Sequence, residues 1–365
     1  DNSRINGDNN IYGALTTAVL ERPGEDLFND DGSYNTSAFI FSNPLQNAVV
    51  DNSDARSLRI FSNVGLRYKF TENLNLYSKA SLERLDFSEL IFSPATTRRG
   101  QGNNGQSFKG IDLINRWNVT NTLNYNKSIG EFSVNGLLGF SFEGTNNESI
   151  SVFTTQIPAG LVLPSNGAVP VSADNFITEN KLFSYFSRLG LGFRDKLFVE
   201  ATVRADASSV FGEGNQIGYF PAFSAAYIIT EEDFMQNDVL NNWKVRASWG
   251  QTGNSTGLGN FGSRALAFPR PYVGNPGTGV GQLGAPDLSW ETTTQFNVGT
   301  DLTLFNRIDL TYDYYVKTTD DLLLARPLRN SSGFTSISAN VGEVENIGHE
   351  FSLNARVFEG AFNWT

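Results

Sequence analysis

The sequence predicts an all-β chain of antiparallel strands, and three observations support this prediction. Apolar and polar residues alternate in segment after segment, which places them on opposite faces of extended strands. The connections between these segments alternate between short and long. The composition includes 29 Phe and 35 Gly but only one Met, and such usage favours strands and turns over helices.

The alternation is clearest in Ile60–Phe70, where one face is largely apolar and the other carries Arg59, Asn63, Arg67 and Lys69. Similar patterns predict about twelve strands along the chain. These are Ile60–Phe70, Leu74–Glu83, Trp117–Tyr125, Phe132–Glu143, Lys181–Phe193, Leu197–Asp206, Gly218–Thr230, Trp243–Gln251, Trp290–Leu304, Ile308–Lys317, Gly348–Phe358 and a last strand beginning at Ala361.

The connections between the predicted strands are alternately short and long, so all the long ones would lie at the same end of the sheet. The short ones are Thr71–Asn73, Asn126–Glu131, Arg194–Lys196, Asn306–Arg307 and Glu359–Gly360, and the long ones are Phe87–Asn115, Gly144–Asn180, Ala207–Ile217, Thr252–Ser289 and Thr318–Ile347. The connection Glu231–Asn242 is longer than the other turns on its side, and its acidic start predicts a helical turn. Tight periplasmic turns and long extracellular loops are typical of an antiparallel transmembrane β-barrel, which is the predicted fold.

Composition excludes several other classes of protein. Cysteine is absent, which removes disulfides and thiolate chemistry. The bases do not cluster, so no nucleic-acid partner is expected. The longest apolar run, Ala225–Ile229, is far shorter than a spanning helix of about 20 residues. The only histidine, His349, is interpreted as a polar strand residue, and no catalytic, cofactor or metal site is predicted.

Several blocks, taken in order, resemble the SusC/RagA family of TonB-linked outer-membrane transporters over nearly the whole chain. They are Leu197–Met235, Trp243–Asn254, Ala285–Glu291, Asp309–Leu324 and Gly333–Glu350. The block that ends at Glu291 is interpreted as a turn that enters a strand through an interfacial Trp290. Ala207, Val210 and Ile347 depart from the family pattern.

The resemblance implies a barrel of about 22 strands closed by an N-terminal plug. About half of that barrel is expected here: residues 1–54 form a loop region, and residues 55–365 form a partial barrel without the plug or the final strands. Because the sequence begins without Met and ends inside an alternating pattern, it is interpreted as a fragment.

The function implied by the resemblance is TonB-dependent import of oligomeric nutrients, either glycans or peptides, across the outer membrane. The implied partners are a SusD-like surface lipoprotein, TonB and outer-membrane lipid, with no bond-breaking chemistry and no cofactor. Glu200, Arg204 and Asp206 share one strand face and are candidate contacts for substrate or plug. Tyr272, in a long loop, is a candidate contact for sugar rings or peptide side chains.

Three alternatives remain open on sequence alone. A soluble all-β carbohydrate-binding protein or propeller would pack the apolar strand faces inward. A glycoside hydrolase would need two carboxylates at a suitable separation. A passive porin would share the barrel but lack a plug.

Overall fold

The computed structural model describes residues 14–22, 24–36, 41–235 and 238–357, and its main element is an eleven-stranded sheet. In sheet order, its strands are β1 (Asn52–Lys69), β2 (Leu74–Ser93), β3 (Gln106–Ile129), β4 (Phe132–Thr155), β5 (Val169–Phe193), β6 (Leu197–Ser208), β7 (Ile217–Ile228), β8 (Leu240–Asn254), β11 (Glu291–Leu304), β12 (Ile308–Asp320) and β15 (Glu343–Ala355). Two small hairpins interrupt this order, β9 (Leu266–Pro269) with β10 (Thr278–Gln282), and β13 (Leu323–Pro327) with β14 (Ser336–Asn340).

Helical structure is sparse in the described part of the chain. The α-helices are α1 (Ala14–Leu20), α2 (Pro44–Val49) and α3 (Arg98–Gln101), and the 3-10 turns are Pro164–Asn166, Ile229–Glu231, Asp233–Met235 and Asn330–Ser332. The helical turn expected in the connection after β7 is therefore present. None of the described helices is long and apolar enough to cross a membrane.

Each sheet strand pairs with its neighbour in the chain, apart from the two inserted hairpins, as expected for antiparallel meander topology. Eleven of the predicted strands are present, and the twelfth, from Ala361, lies outside the described residues. The first strand begins at Asn52, just before the predicted end of the loop region, and α1 and α2 precede it. The predicted alternation of short and long connections is present except around β7, where the connection 229–239 is longer than the connection 209–216 before it.

Several strands are longer than their sequence pattern predicts. The expected connections Phe87–Asn115 and Gly144–Asn180 were wrong in extent, because only 94–105 and 156–168 separate the strands there. In Asn146–Glu148 of β4, successive residues are polar on both faces. A strand wetted on both faces keeps its backbone hydrogen bonds but shows no alternation, so the pattern ends before the strand does.

The chain divides into two compact units, each described here by itself. Unit 1 comprises Asp1–Ser62, Leu82–Trp117 and Thr145–Glu179, and unit 2 comprises Asn63–Ser81, Asn118–Gly144 and Asn180–Thr365.

Unit 1 has an unusually polar interior. Its buried side chains include Ser42, Asn43, Gln46, Ser93 and Thr97. Asn43 caps α2 by accepting hydrogen bonds from the backbone N–H groups of Leu45 and Gln46. A polar interior of this kind depends on complete hydrogen bonding, because each unsatisfied buried group costs about 1–3 kcal/mol.

Glu83 links two arginines on the strands of unit 1. Its carboxylate contacts Arg59 Nε at 2.8 Å and Arg116 Nη1 at 3.5 Å. The glutamate is largely shielded, while both arginines are at least half exposed. The three charged side chains therefore lie on a face of the strands that is open to the medium.

Unit 2 has an apolar face on which residues opposite one another form continuous rows. One row runs across seven strands, through Leu189, Ala201, Phe223, Trp249, Phe296, Val316 and Ile347. These side chains are not covered by protein: Phe223 is 55% exposed and Ile347 is 57% exposed. An uncovered apolar band of this width is unfavourable in water and fits hydrocarbon.

The next row lies on the opposite face of the sheet and is mostly polar or bare. It runs through Gly190, Glu200, Ser224, Ser248, Asn297, Tyr315 and Gly348. A soluble sandwich would hide the apolar rows and expose the polar ones, and the structure has the opposite arrangement. The soluble carbohydrate-binding alternative is therefore disfavoured by the packing itself.

The two faces predict opposite responses to a charge at adjacent positions. Val298→Lys puts an ammonium on the apolar face and should lower the free energy of unfolding in lipid vesicles by about 2–4 kcal/mol. Asn297→Lys, the matched control on the polar face, should change it by less than about 1 kcal/mol. Urea unfolding of the two variants measures the difference, and equal destabilisation would mean that the faces are wrongly assigned.

Candidate functional site

Two of the three strand residues predicted as contacts form one ion pair. Arg204 Nε lies 2.7 Å from Asp206 Oδ1 and donates a hydrogen bond of 2.8 Å to Asp206 Oδ2. Arg204 Nη2 also donates to Ser184 Oγ at 2.7 Å, and its guanidinium lies 5.4 Å from the ring centre of Phe186. Asp206 is only 7% exposed. Arg204 is bonded to both Asp206 and Ser184, so the geometry of this group suits stiffening of the polar face.

Glu200, the third predicted residue, has a looser environment. It lies 3.8 Å from Arg188 Nε, and both side chains are about half exposed. Its carboxylate borders a cavity of about 400 Å³ that Arg246, Ser248 and Asn297 also line. Of the three, Glu200 is therefore the one whose carboxylate remains accessible to a ligand on the polar face.

A second charged cluster was not singled out from the sequence. Arg246 Nη2 donates a 2.7 Å hydrogen bond to Asp313 Oδ2, and Arg246 Nε donates a 3.2 Å bond to Asp301 Oδ2. Alternation had already placed Arg246 and Asp313 on polar faces. The sequence does not predict the strand register that aligns Arg246 with Asp313, because β8 and β12 are far apart in the chain.

Gly299 makes this cluster possible. It lies directly between Arg246 and Asp313 in the register of β8, β11 and β12. A Cβ at Gly299 would be 2.9 Å from the guanidinium carbon of Arg246 and would overlap Asp313 Oδ1. The bare backbone thus lets two charged side chains meet across an intervening strand.

Gly299→Ala is predicted to separate this ion pair and to lower the free energy of unfolding by about 1–3 kcal/mol through overpacking. Gly190→Ala is the matched control, because a Cβ there meets nothing closer than 3.7 Å. Thermal unfolding of both variants tests the prediction. A Gly299→Ala protein as stable as the Gly190→Ala protein would contradict it.

Tyr272 lies apart from the strand residues, at the tip of the hairpin formed by β9 and β10. It is 80% exposed and exchanges backbone hydrogen bonds with Asn275, with Val273 and Gly274 between them. Both central residues have positive φ, 46° for Val273 and 76° for Gly274. Such a two-residue turn reverses the chain tightly and presents the Tyr272 ring to the medium.

The long loops of unit 2 share a hydrophobic core of their own. It contains Phe211, Phe220, Ala285, Leu288, Trp290 and Leu323. Trp290 is only 9% exposed and packs against Phe211 and Phe220 with ring centres 5.0 and 5.4 Å away. The expectation of an interfacial Trp290 was therefore wrong: its indole is buried under loops and donates a hydrogen bond to Gln216 O.

Polar side chains tie the same loops to one another. Asn340 accepts a hydrogen bond from Ser289 N and donates to Ser289 O and Asp321 O, each at 2.9 Å. Glu291 accepts from Asn254 Nδ2 and from Leu323 N, each at 3.0 Å. The loops are thus a packed assembly, and the resemblance block that ends at Glu291 supplies its central residues.

Removal of the buried indole should loosen the loops. Trp290→Ala is expected to cost about 3–5 kcal/mol locally and to speed proteolytic cleavage within residues 255–342. Trp249→Ala, on the apolar strand face, is the control and should leave loop cleavage unchanged. Peptide mapping after limited proteolysis measures both, and equal cleavage patterns would contradict a loop core centred on Trp290.

The turns at the other strand ends are held by ion pairs. Arg194 Nε contacts Glu131 at 2.8 Å, and Lys196 Nζ contacts Glu232 at 3.2 Å. Glu232 also accepts a 2.5 Å hydrogen bond from Tyr227 Oη. The Tyr227 hydroxyl and then Lys196 hold the pKa of Glu232 below its ordinary value.

His349 lies on the apolar face, opposite Tyr314, and its Nδ1 shares a 2.9 Å hydrogen bond with Tyr312 Oη. His349 is thus a strand residue of β15, as interpreted from the sequence, and its orientation toward the apolar face was not predicted. Within the described ranges, His, Asp and Glu form no group of three that would hold a metal ion.

A sheet with one hydrocarbon-compatible face, one polar face, short turns at one end and packed loops at the other defines the wall of a membrane β-barrel. Residues 2–365 match the family model described as TonB dependent receptor-like, beta-barrel. The chain belongs to this TonB-dependent receptor family, whose barrels lie in the outer membrane.

Named relatives agree with this assignment. The chain is 33% identical to TonB-dependent receptor P39 of Formosa agariphila over 94% of its length, covering 34% of that protein. It is 29% identical to TonB-dependent receptor SusC of Bacteroides thetaiotaomicron over 92% of its length, covering 34% of that protein.

Among solved structures, the RagAB peptide transporter superposes with a TM-score of 0.84 at 25% identity, covering 95% of this chain and 40% of the other. The chain thus spans about a third of the curated relatives it matches. The family is one of transporters and not of enzymes.

Proposed function

We propose that this chain is the barrel portion of a SusC-like transporter that imports oligomeric nutrients, peptides or glycans, in a TonB-dependent step. The observation that carries the proposal is the two-faced wall of unit 2, with its apolar rows uncovered and its polar rows lined by Glu200, Arg246 and Asn297. A SusD-like surface lipoprotein, TonB acting through a plug, and outer-membrane lipid are the proposed partners. The chain supplies wall and loops and catalyses no reaction.

The four candidate residues divide between two proposed roles. Arg204 and Asp206 are paired with each other, which supports a role in holding the wall in shape beneath a plug. Glu200 is half-exposed beside the cavity and is proposed to contact plug or substrate. Tyr272 presents an aromatic ring at a hairpin tip, where it is suited to stack on sugar rings or peptide side chains.

Import is tested with the full-length transporter in its own cells. Growth on oligopeptides or oligosaccharides as sole nutrient should require both this gene and a functional TonB. Growth that survives loss of TonB would favour a passive porin, the alternative that shares the barrel. Release of cleaved products by the purified protein would instead favour a hydrolase.

The proposed role of Tyr272 predicts a separate effect. Tyr272→Ala should lower uptake of the identified oligomer several-fold, because stacking of a sugar ring or peptide side chain on the exposed ring is lost while the hairpin backbone is unchanged. Phe234→Ala is the matched control, since Phe234 is 79% exposed in the connection between β7 and β8. Uptake of labelled oligomer at equal surface abundance is the measurement, and equal rates in the two variants would remove Tyr272 from the substrate path.

A further inference from the structure

The hairpin of β9 and β10 carries positive charge in a chain that is acidic overall. Arg264 and Arg270 are the only charged residues between positions 255 and 286, whereas the whole chain has a net charge of −11. Both arginines are exposed, and neither forms an ion pair within the part of the chain that the structure describes. Two exposed guanidinium groups without a counter-charge are available to an anionic ligand.

The hairpin of β13 and β14 has the same kind of charge. Arg326 and Arg329 are the only charged residues between positions 322 and 342, and both are exposed. The two hairpins adjoin one loop core, because Leu323 and Ile337 of this hairpin and Ala285, just beyond β10, all pack in it. The loops of unit 2 therefore carry four exposed arginines on hairpins that contain no acidic residue, and such a field attracts anions.

Phe268, Arg270 and Tyr272 lie on one face of the β9–β10 hairpin, because alternate residues of an extended strand point the same way. The opposite strand leaves this face bare. A Cβ at Gly281 would overlap the Phe268 ring, and a Cβ at Gly279 would lie 3.0 Å from Arg270 Cγ. The outer sides are open to the medium, since Phe268 is 40% exposed and Tyr272 is 80% exposed. The hairpin thus presents an arginine between two aromatic rings.

The outer edge of this hairpin is closed to a peptide strand. The backbone N–H of Arg270 donates inward, to Gly277 O at 2.7 Å. Because N–H groups alternate in direction along a strand, the outward positions on either side are Pro269 and Pro271, which have no N–H. A peptide that adds a strand to a sheet edge needs such donors. A ligand of this hairpin therefore contacts the face that carries Phe268, Arg270 and Tyr272.

We propose that Phe268, Arg270 and Tyr272 bind an anionic oligosaccharide, whose sugar rings carry carboxylate or sulfate groups. The inference rests on the proposed import function and narrows its substrate to one class. Aromatic rings offer apolar faces on which sugar rings stack. The guanidinium between them offers paired N–H donors that fit the oxygens of an anionic group. A neutral glycan would leave the arginine without a partner, and a peptide would find no backbone donors along the outer edge of β9.

The test is binding to the purified full-length transporter in detergent, measured by isothermal titration calorimetry. The probes are hexagalacturonate, its fully methyl-esterified and therefore uncharged form, a sulfated κ-carrageenan hexasaccharide, and hexaglutamate. At least one anionic hexasaccharide should bind about ten-fold more tightly than the methyl ester, the scale of one charge-assisted hydrogen bond. This preference should shrink as sodium chloride is raised, because salt screens exposed charges. The carboxylated and sulfated probes tell which anionic group the site prefers.

Variants locate the binding. Arg270→Gln should weaken binding of the anionic hexasaccharide about ten-fold and leave binding of the methyl ester unchanged. Arg307→Gln is the matched control, because it removes an exposed arginine from the turn between β11 and β12, and it should bind like the unaltered protein. Tyr272→Ala should weaken binding of the charged and uncharged hexagalacturonates by the same factor, since it removes stacking and leaves the charge in place.

Three results would overturn the proposal. The first is no binding, or equal binding of the charged and uncharged hexasaccharides. The second is a preference for the anion that persists unchanged in Arg270→Gln, which would place the anion elsewhere. The third is hexaglutamate bound as tightly as either anionic hexasaccharide, which would mean that the hairpin recognises charge without sugar. None of these measurements requires TonB, so a transporter that binds the anion through Arg270 but supports growth without TonB keeps this site and loses only the proposed function.

Discussion

The structure depends on one constraint: inside hydrocarbon, every backbone N–H and C=O must be paired with another backbone group. Sequential antiparallel strands meet this constraint with the shortest connections, and the order of the sheet follows the order of the chain. Once the strands are paired in register, the apolar residues of neighbouring strands lie side by side and form apolar rows across the sheet. The polar residues form polar rows between them, on the opposite face. The row from Leu189 to Ile347 is apolar because each strand contributes one apolar residue at the same height.

The polar face is shaped as much by missing side chains as by charged ones. Gly299 gives Arg246 a path to Asp313, and Gly190 leaves room beside Glu200. Across a glycine, two opposite charges can pair even though their strands are not adjacent in the sheet. The result is a face that is polar yet rigid, with Glu200 left accessible among groups that are already engaged. Such a face suits the proposed passage of hydrogen-bonding oligomers better than a uniformly charged one.

Most of the strand framework was predictable, because alternation is a local signal and the apolar band forces it on every strand. The extension of β4 was missed because Asn146–Glu148 is polar on both faces. The extension of β5 was missed because its apolar residues, such as Val171, Phe176 and Ile177, do not keep to one face. Trp290 was assigned to an interface because aromatic residues near strand ends usually lie there, and its burial depends on Phe211 and Phe220 from other loops. The pairing of Arg246 with Asp313 likewise depends on register, which no single strand encodes.

The loops meet a different requirement from the strands, and this difference bears on the proposed specificity. Strand residues are fixed by their pairing, so a changed side chain in the wall must still fit its neighbours on the adjacent strands. Loops lack that pairing, and here they are held instead by the core around Trp290 and by the hydrogen bonds of Asn340. A core of this kind holds the lower parts of the loops in one arrangement. A hairpin tip outside the core, such as the one carrying Tyr272, can then change in sequence without disturbing that arrangement. Specificity for an oligomer is therefore best placed on tips built over a shared loop core, with the wall supplying a route common to many substrates.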